Sequence, residues 1–227
     1  MSARRLALAF LLVACASGGA DAQRSVPQLW ASAGLGAAAR TAAVAGVVGT
    51  SSGAIPIGEA GLRYRALSLR ARFGGGEFTS DSGTTASATV SSAEVLIGAA
   101  YRGLSAEAGL GQRRLQGSLT TRQWLYKVAG VRAECPLGAS GVTAGAAVHA
   151  WIDGKEAVGD VTASGLAGET YLLARPWTSP IYLRLSYRVE AFSDDGADPF
   201  PDRAGMLGLG LGFSLGPAVA GRGPSSR

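Results

Sequence analysis

Lysine is almost missing from this chain. Lys127 and Lys155 are its only two, and the rest of its positive charge is arginine, for a net charge of +5. No dense basic cluster forms, which removes support for nucleic-acid binding. There is a single histidine, His149, so any His-dependent chemistry has to run through it. Beyond the leader described next, Cys135 is the one cysteine. That excludes an intramolecular disulfide, and the Cys135-Pro136 turn reads as an inert thiol. No window of ~20 apolar residues follows the leader, which excludes a spanning helix. Gly74-Gly75-Gly76 has no Gly-Lys-Ser/Thr ending and no helix after it, so it is a hinge or bulge and not a phosphate loop.

What is present starts with an export signal over 1–22. Arg4 and Arg5 supply the positive region, Leu6 to Ala16 the apolar run, and Ala20-Asp21-Ala22 a cleavage site before Gln23. Leu12-Val13-Ala14-Cys15 also resembles a lipoprotein lipobox, so lipid attachment at Cys15 stays open beside cleavage near Ala22. Residues 23–216 then form one domain, and 217–227, with Pro217, Gly221, Gly223 and Pro224, read as a flexible tail.

The period of the domain is two. In 205–215, Leu207, Leu209, Leu211, Phe213 and Leu215 share one face and Met206, Gly208, Gly210, Gly212 and Ser214 the other, the mark of a strand with one apolar side. Ten such segments are expected, at 29–39, 56–65, 67–78, 90–102, 104–114, 122–134, 142–153, 163–175, 181–192 and 205–215. Most are longer than the five or six residues typical of globular strands and match the ~9–11 needed to cross a bilayer at a tilt. The connections after the even-numbered strands are short. Those after the odd-numbered ones (40–55, 79–89, 115–121, 154–162 and 193–204) are longer and polar or glycine-rich. That asymmetry fits an all-β, up-and-down antiparallel transmembrane barrel of about ten strands, with eight as the fallback. The Ala/Gly-rich run 42–49 is expected as loop or irregular strand.

Period alone does not say which face is inside. Strand length, loop asymmetry and the placing of the aromatics favour an apolar outside. Trp30, Tyr64, Tyr101, Trp177, Tyr182 and Phe213 lie near the short-turn ends, and Phe78, Trp124, Trp151 and Phe192 near the other, so two aromatic belts are expected. Parity nevertheless puts Trp30 and Tyr182 inside. In 122–134, Lys127 shares a parity with Leu125, Ala129 and Val131, which points to a bulge or a misplaced boundary. The inner face then carries Glu59, Arg63, Arg70, Arg72, Glu94, Glu107, Arg132, Glu134, Glu169, Arg184, Arg188 and Glu190. A lumen of this size is filled by side chains, and those charges have to pair. A charge-plugged lumen is the expectation.

Gly208-Leu209-Gly210-Leu211-Gly212-Phe213-Ser214-Leu215 resembles the β-signal of bacterial outer-membrane proteins. Gly210, Phe213 and Leu215 match its glycine, aromatic and hydrophobic positions, while Gly208 replaces the usual polar residue. With the export signal and the hairpin pattern, the domain is similar to the small outer-membrane β-barrel proteins of Gram-negative-type bacteria. The resemblance implies the outer membrane as location. It implies the barrel-assembly machinery, outer-membrane lipids and lipopolysaccharide as partners, and no cofactor.

Some barrels of that class are enzymes. The phospholipase and lipid A deacylase patterns want Ser two residues after the histidine, where this chain has Trp151; the omptin pattern wants Asp two before, where it has Ala147. His149 therefore reads as a lumen or rim residue, with Asp153 a candidate partner, and the chain as a non-enzyme. Asp194, Asp195, Asp198 and Asp202 put four carboxylates in one loop, a weak cation candidate that reads first as a solvated acidic loop. The functional expectation is a non-enzymatic envelope or surface-interaction barrel. Behind it come a hydrophobe-binding or conducting barrel, a lipid-modifying enzyme, and a soluble periplasmic barrel or sandwich.

Overall fold

The computed structural model describes residues 26–44, 47–80, 87–101, 103–117, 121–137, 141–157, 161–176, 179–195 and 202–215. The leader with Cys15 and its cleavage site, the tail, Trp177 and Asp198 lie outside them. Ten strands follow in chain order: β1 Gln28–Val44, β2 Val47–Tyr64, β3 Leu67–Ser80, β4 Ala88–Tyr101, β5 Leu104–Gly117, β6 Thr121–Pro136, β7 Val142–Glu156, β8 Thr162–Ala174, β9 Ile181–Asp194 and β10 Asp202–Leu215. Each pairs antiparallel with its neighbours in sequence, and β10 pairs with β1 to close the barrel. Leu29 lies opposite Leu215 and Ala39 opposite Gly205. No strand edge is left unpaired, as a wall in contact with lipid requires.

The exterior is apolar and exposed. Leu207, Leu209, Leu211, Phe213 and Leu215 are between 48% and 61% exposed, and Ile181, Leu183, Leu185, Tyr187 and Val189 of β9 face the same way. The charged parity points inward, where Arg70 and Glu94 are 2% and 3% exposed. That is the reverse of a water-soluble barrel, so the wall is a membrane wall. At ~3.3 Å per residue and ~40° tilt, the outward row from Ile181 to Ala191 is about 25 Å tall, the height of an outer-membrane apolar band. Towards the long-loop rim the outer face turns polar, at Ser52, Thr79, Ser91, Gln112, Ser164 and Ser193.

Three expectations fail. Residues 40–55 are not a loop: β1 and β2 continue to Val44 and Val47, paired in register along their whole length. Small residues fit a pleated strand as well as a loop and carry no polar alternation, so their sequence is silent about pairing. Nor do the described residues form the second aromatic belt. Phe78, Trp124, Trp151 and Phe192 are at most 3% exposed and lie inside the lumen, because each shares a parity with inward residues such as Arg72, Arg132, His149 and Glu190. The outward aromatics are Tyr64, Phe73, Tyr101, Tyr187 and Phe213. Finally, the irregularity near Lys127 leaves Lys127 outside. The pairing shifts between Leu125–Lys155 and Lys127–Ile152, and again between Trp151–Gly165 and Gly154–Ala163. The extra residue thus belongs to β7, where Asp153 adopts φ 50°.

Turn geometry finishes the wall. Arg65 (φ 53°) and Gly103 (φ 81°) take left-handed conformations in the two tightest turns, the backbone that such hairpins demand. A second use of glycine is lateral. Tyr126 lies directly across from Gly111, Tyr171 from Gly145, Tyr182 from Gly212 and Trp151 from Gly165. A Cβ at Gly111 would come within 2.3 Å of the Tyr126 ring. Each ring can therefore lie along the wall, leaving the centre of the lumen to longer side chains.

Candidate functional site

The lumen holds an extended network of paired charge, with a separate cluster at the loop rim. At its centre Glu59 is 5% exposed, with Arg70 at 3.3 Å, Arg184 at 3.4 Å, and Arg72 and Arg132 at 3.9 Å. Arg70 continues to Glu107, and Arg72 to Glu169. Arg184 closes on Glu169 at 2.7 Å, and Arg132 reaches Glu107 and Glu134, both at 3.5 Å. The Tyr171 hydroxyl donates to Glu134 (2.6 Å) and accepts from Arg132 (3.0 Å). These contacts come from six strands. No short stretch of sequence contains the network.

Towards the loop rim the pairing changes character. Phe192 packs against Trp124 and Trp151, with ring centroids 5.1 and 6.0 Å apart. Trp151 donates its indole N–H to Glu94 at 2.9 Å. Arg113 stacks over Phe192 and Trp151 while pairing with Glu190 and Asp202, each at 2.8 Å. Asp202 also holds Arg40 at 2.8 Å. Arg122 covers the Trp124 ring and clamps Asp194 at 2.6 Å and Glu156 at 2.9 Å. A guanidinium suits these places because its flat face stacks while its edge forms forked hydrogen bonds.

Eleven of the twelve lumen residues expected from parity meet in this network. The twelfth, Arg63, is half-buried nearer the turn rim, across from Gln28 and Ser68. The expected set left out Arg40, Arg113, Arg122, Glu156, Asp194 and Asp202. Arg113 was legible as an inward residue, whereas Arg40, Glu156, Asp194 and Asp202 lay in segments read as loops. With them included, the inward arginines (40, 63, 70, 72, 113, 122, 132, 184, 188) and carboxylates (59, 94, 107, 134, 156, 169, 190, 194, 202) of the described strands number nine each. The buried charge is balanced.

The four-carboxylate loop is corrected by this placement. Asp194 ends β9 and Asp202 begins β10, each buried against arginine. Asp195 is exposed and accepts hydrogen bonds from the backbone and hydroxyl of Thr162, which hold its carboxyl below the usual range. Among the described residues no group of carboxylates, histidines or cysteines is arranged to hold a metal. Cys135 is half-buried near the turn rim, its thiol towards the Pro136 carbonyl.

His149 is a lumen residue as expected, but its expected partner is corrected. It is 1% exposed, and its Nε2 lies 2.8 Å from Glu107 and 3.3 Å from Arg70. Asp153 is on the other side of the wall, 2.8 Å from the Lys127 amine, because the β7 bulge turns it outward. Of the β-signal residues, Phe213 and Leu215 face lipid at the turn end of β10, and Gly210 faces inward, opposite Gly34. Beside that glycine pair is a cavity of about 60 Å³, lined by Glu59, Arg72, Glu169, Arg184, Arg188 and Glu190. It has room for roughly four waters.

No family model matches the sequence, and no curated protein does. Solved structures do. Neisserial surface protein A aligns over 82% of this chain and 96% of its own, at 16% identity and a TM-score of 0.40. The outer membrane protease OmpT of Escherichia coli aligns over 83% and 97%, at 10% identity and 0.48. The translocator domain of the autotransporter NalP of Neisseria meningitidis aligns over 92% and 95%, at 14% and 0.46. The chain is a closed ten-strand, up-and-down antiparallel β-barrel with an apolar outer wall.

Proposed function

We propose that this is a non-enzymatic integral outer-membrane protein, exported by its leader with cleavage near Ala22, with a structural or surface-interaction role. The observation that carries the reading is the balanced ion-pair network across the lumen. An open channel needs a wetted path, and a hydrophobe carrier needs an apolar space. Here the central arginines and glutamates bridge opposite walls, and the aromatic residues above them pack on each other. Gly210, Phe213 and Leu215 would serve recognition by the assembly machinery. The long-loop rim would face outward among lipopolysaccharide, with both termini on the periplasmic side.

The packed position of His149 supports the non-enzymatic reading. A general base needs a free nitrogen near a nucleophile, and the Nε2 of His149 faces Glu107 and Arg70 in the packed interior. Two experiments test the proposal. The protein should stay in the membrane pellet through carbonate and urea washes and leave it only with detergent; extraction without detergent contradicts membrane integration. Purified protein should not hydrolyse phospholipid or lipid A. A hydrolysis that His149→Ala abolishes would contradict the non-enzymatic assignment.

A further inference from the structure

Both lysines of the chain, so scarce elsewhere, fall on the outer wall of neighbouring strands. Lys127 on β6 and Lys155 on β7 are exposed, and so is Arg114 on β5. The register places them at successive heights. Lys127 lies between Leu110 and Ile152, in the last apolar row. Lys155 pairs with Leu125 one outward row higher, and Arg114 pairs with Gln123 in the row above that. Among the described residues one anion, Asp153, lies among them, and it interacts electrostatically with Lys155 as well as Lys127. Asp153, turned outward by the bulge, is 2.8 Å from Lys127. Among the described residues, Arg114 and Lys155 have no carboxylate within ion-pair distance. The patch therefore keeps two positive charges beyond that pair.

The rest of this rim differs. At the upper edge of the band, β2, β3, β4, β8 and β9 present Ser52, Thr79, Ser91, Ser164 and Ser193, and among the described residues the outward charges there are Glu77 on β3, Asp195 just beyond β9 and Arg203 on β10. The positive charge is concentrated on a single side. Its height is where an apolar band gives way to a polar wall, which is the level of lipid phosphates. A lysine in the last apolar row can lay its stem along Leu110 and Ile152 and raise its amine to that level. Anionic headgroups are drawn to basic residues placed there.

We infer that the outer face of β5–β7 is a binding site for a phosphorylated lipid of the leaflet at the long-loop rim. Arg114 and Lys155 contact its phosphates, and Lys127, oriented by Asp153, supports them. The inference rests on the membrane reading above. It gives the barrel a preferred side towards its lipids, and with it a preferred orientation among neighbours.

The test uses the whole refolded protein in neutral phosphatidylcholine bilayers, titrated with a diphosphorylated glycolipid and with its dephosphorylated form. Binding is read by native mass spectrometry and by the rise in unfolding temperature. The phosphorylated lipid should bind selectively, and the double variant Arg114→Gln/Lys155→Gln should weaken it by at least about tenfold. Arg203→Gln on the distant β10 wall should bind as the parent does. Equal binding by the double variant, by Arg203→Gln and by the parent overturns the site, as does equal affinity for the dephosphorylated lipid. Full competition by millimolar inorganic phosphate would also overturn it, because a lipid site draws on the acyl chains as well. Failure to insert into phosphatidylcholine at all would overturn the membrane reading itself, and it is scored separately, before any titration.

Discussion

In the turn-side half of the lumen, Glu59, Glu107 and Glu169 are shared among Arg70, Arg72, Arg132 and Arg184. In the loop-side half, Trp124, Trp151 and Phe192 pack on one another and Phe78 on Ile55 and Val90, with arginine clamps only at the rim. Both halves fill a barrel, by different physics. Each charge in the first half is affordable only while its several partners are present, because a buried charge without a partner costs far more than the pair contributes. Contacts in the second half are additive and local, so a defect there stays where it is made.

The comparison can be broken from either end. Glu59→Ala leaves four arginines facing an empty site and should destabilise the barrel by about 3 to 5 kcal/mol, read as a drop in the urea midpoint in lipid vesicles. Adding Arg184→Ala should recover part of that loss; two simply additive losses would show that the network is not shared. Trp151→Phe keeps a ring over Gly165 and removes the hydrogen bond to Glu94. The expected cost is about 2 kcal/mol, as for a bond to a charged group. Gly111→Ala, which obliges the Tyr126 ring to move, should cost about 1 kcal/mol by overpacking. Its effect should not spread: the cost of Gly111→Ala and that of Glu59→Ala should add in the double variant.

How much of this could be read in the sequence differs between the halves. The charged half was nearly all visible, since in β3 and β9 arginine and glutamate alternate with leucine and parity alone assigns the inner face. The partners were not visible. Arg113 and Asp202 are 89 positions apart, and nothing local specifies that contact. The aromatic half was visible and misread: Phe192 shares its parity with Glu190, and Trp124 with Arg132, but their place near the strand ends suggested a membrane belt. Parity is the stronger signal, because a side chain cannot change face without a bulge. Where a bulge does occur, in β7, parity fails for Asp153, and with it the pairing expected for His149. In the upper parts of β1 and β2, alanine, glycine and serine give parity nothing to report.

The central claim is that the lumen is sealed. Single-channel recording of the refolded protein in planar bilayers tests it most directly. Insertion without stable conductance steps, at either polarity and at molar salt, is the predicted result; reproducible nanosiemens openings would contradict it.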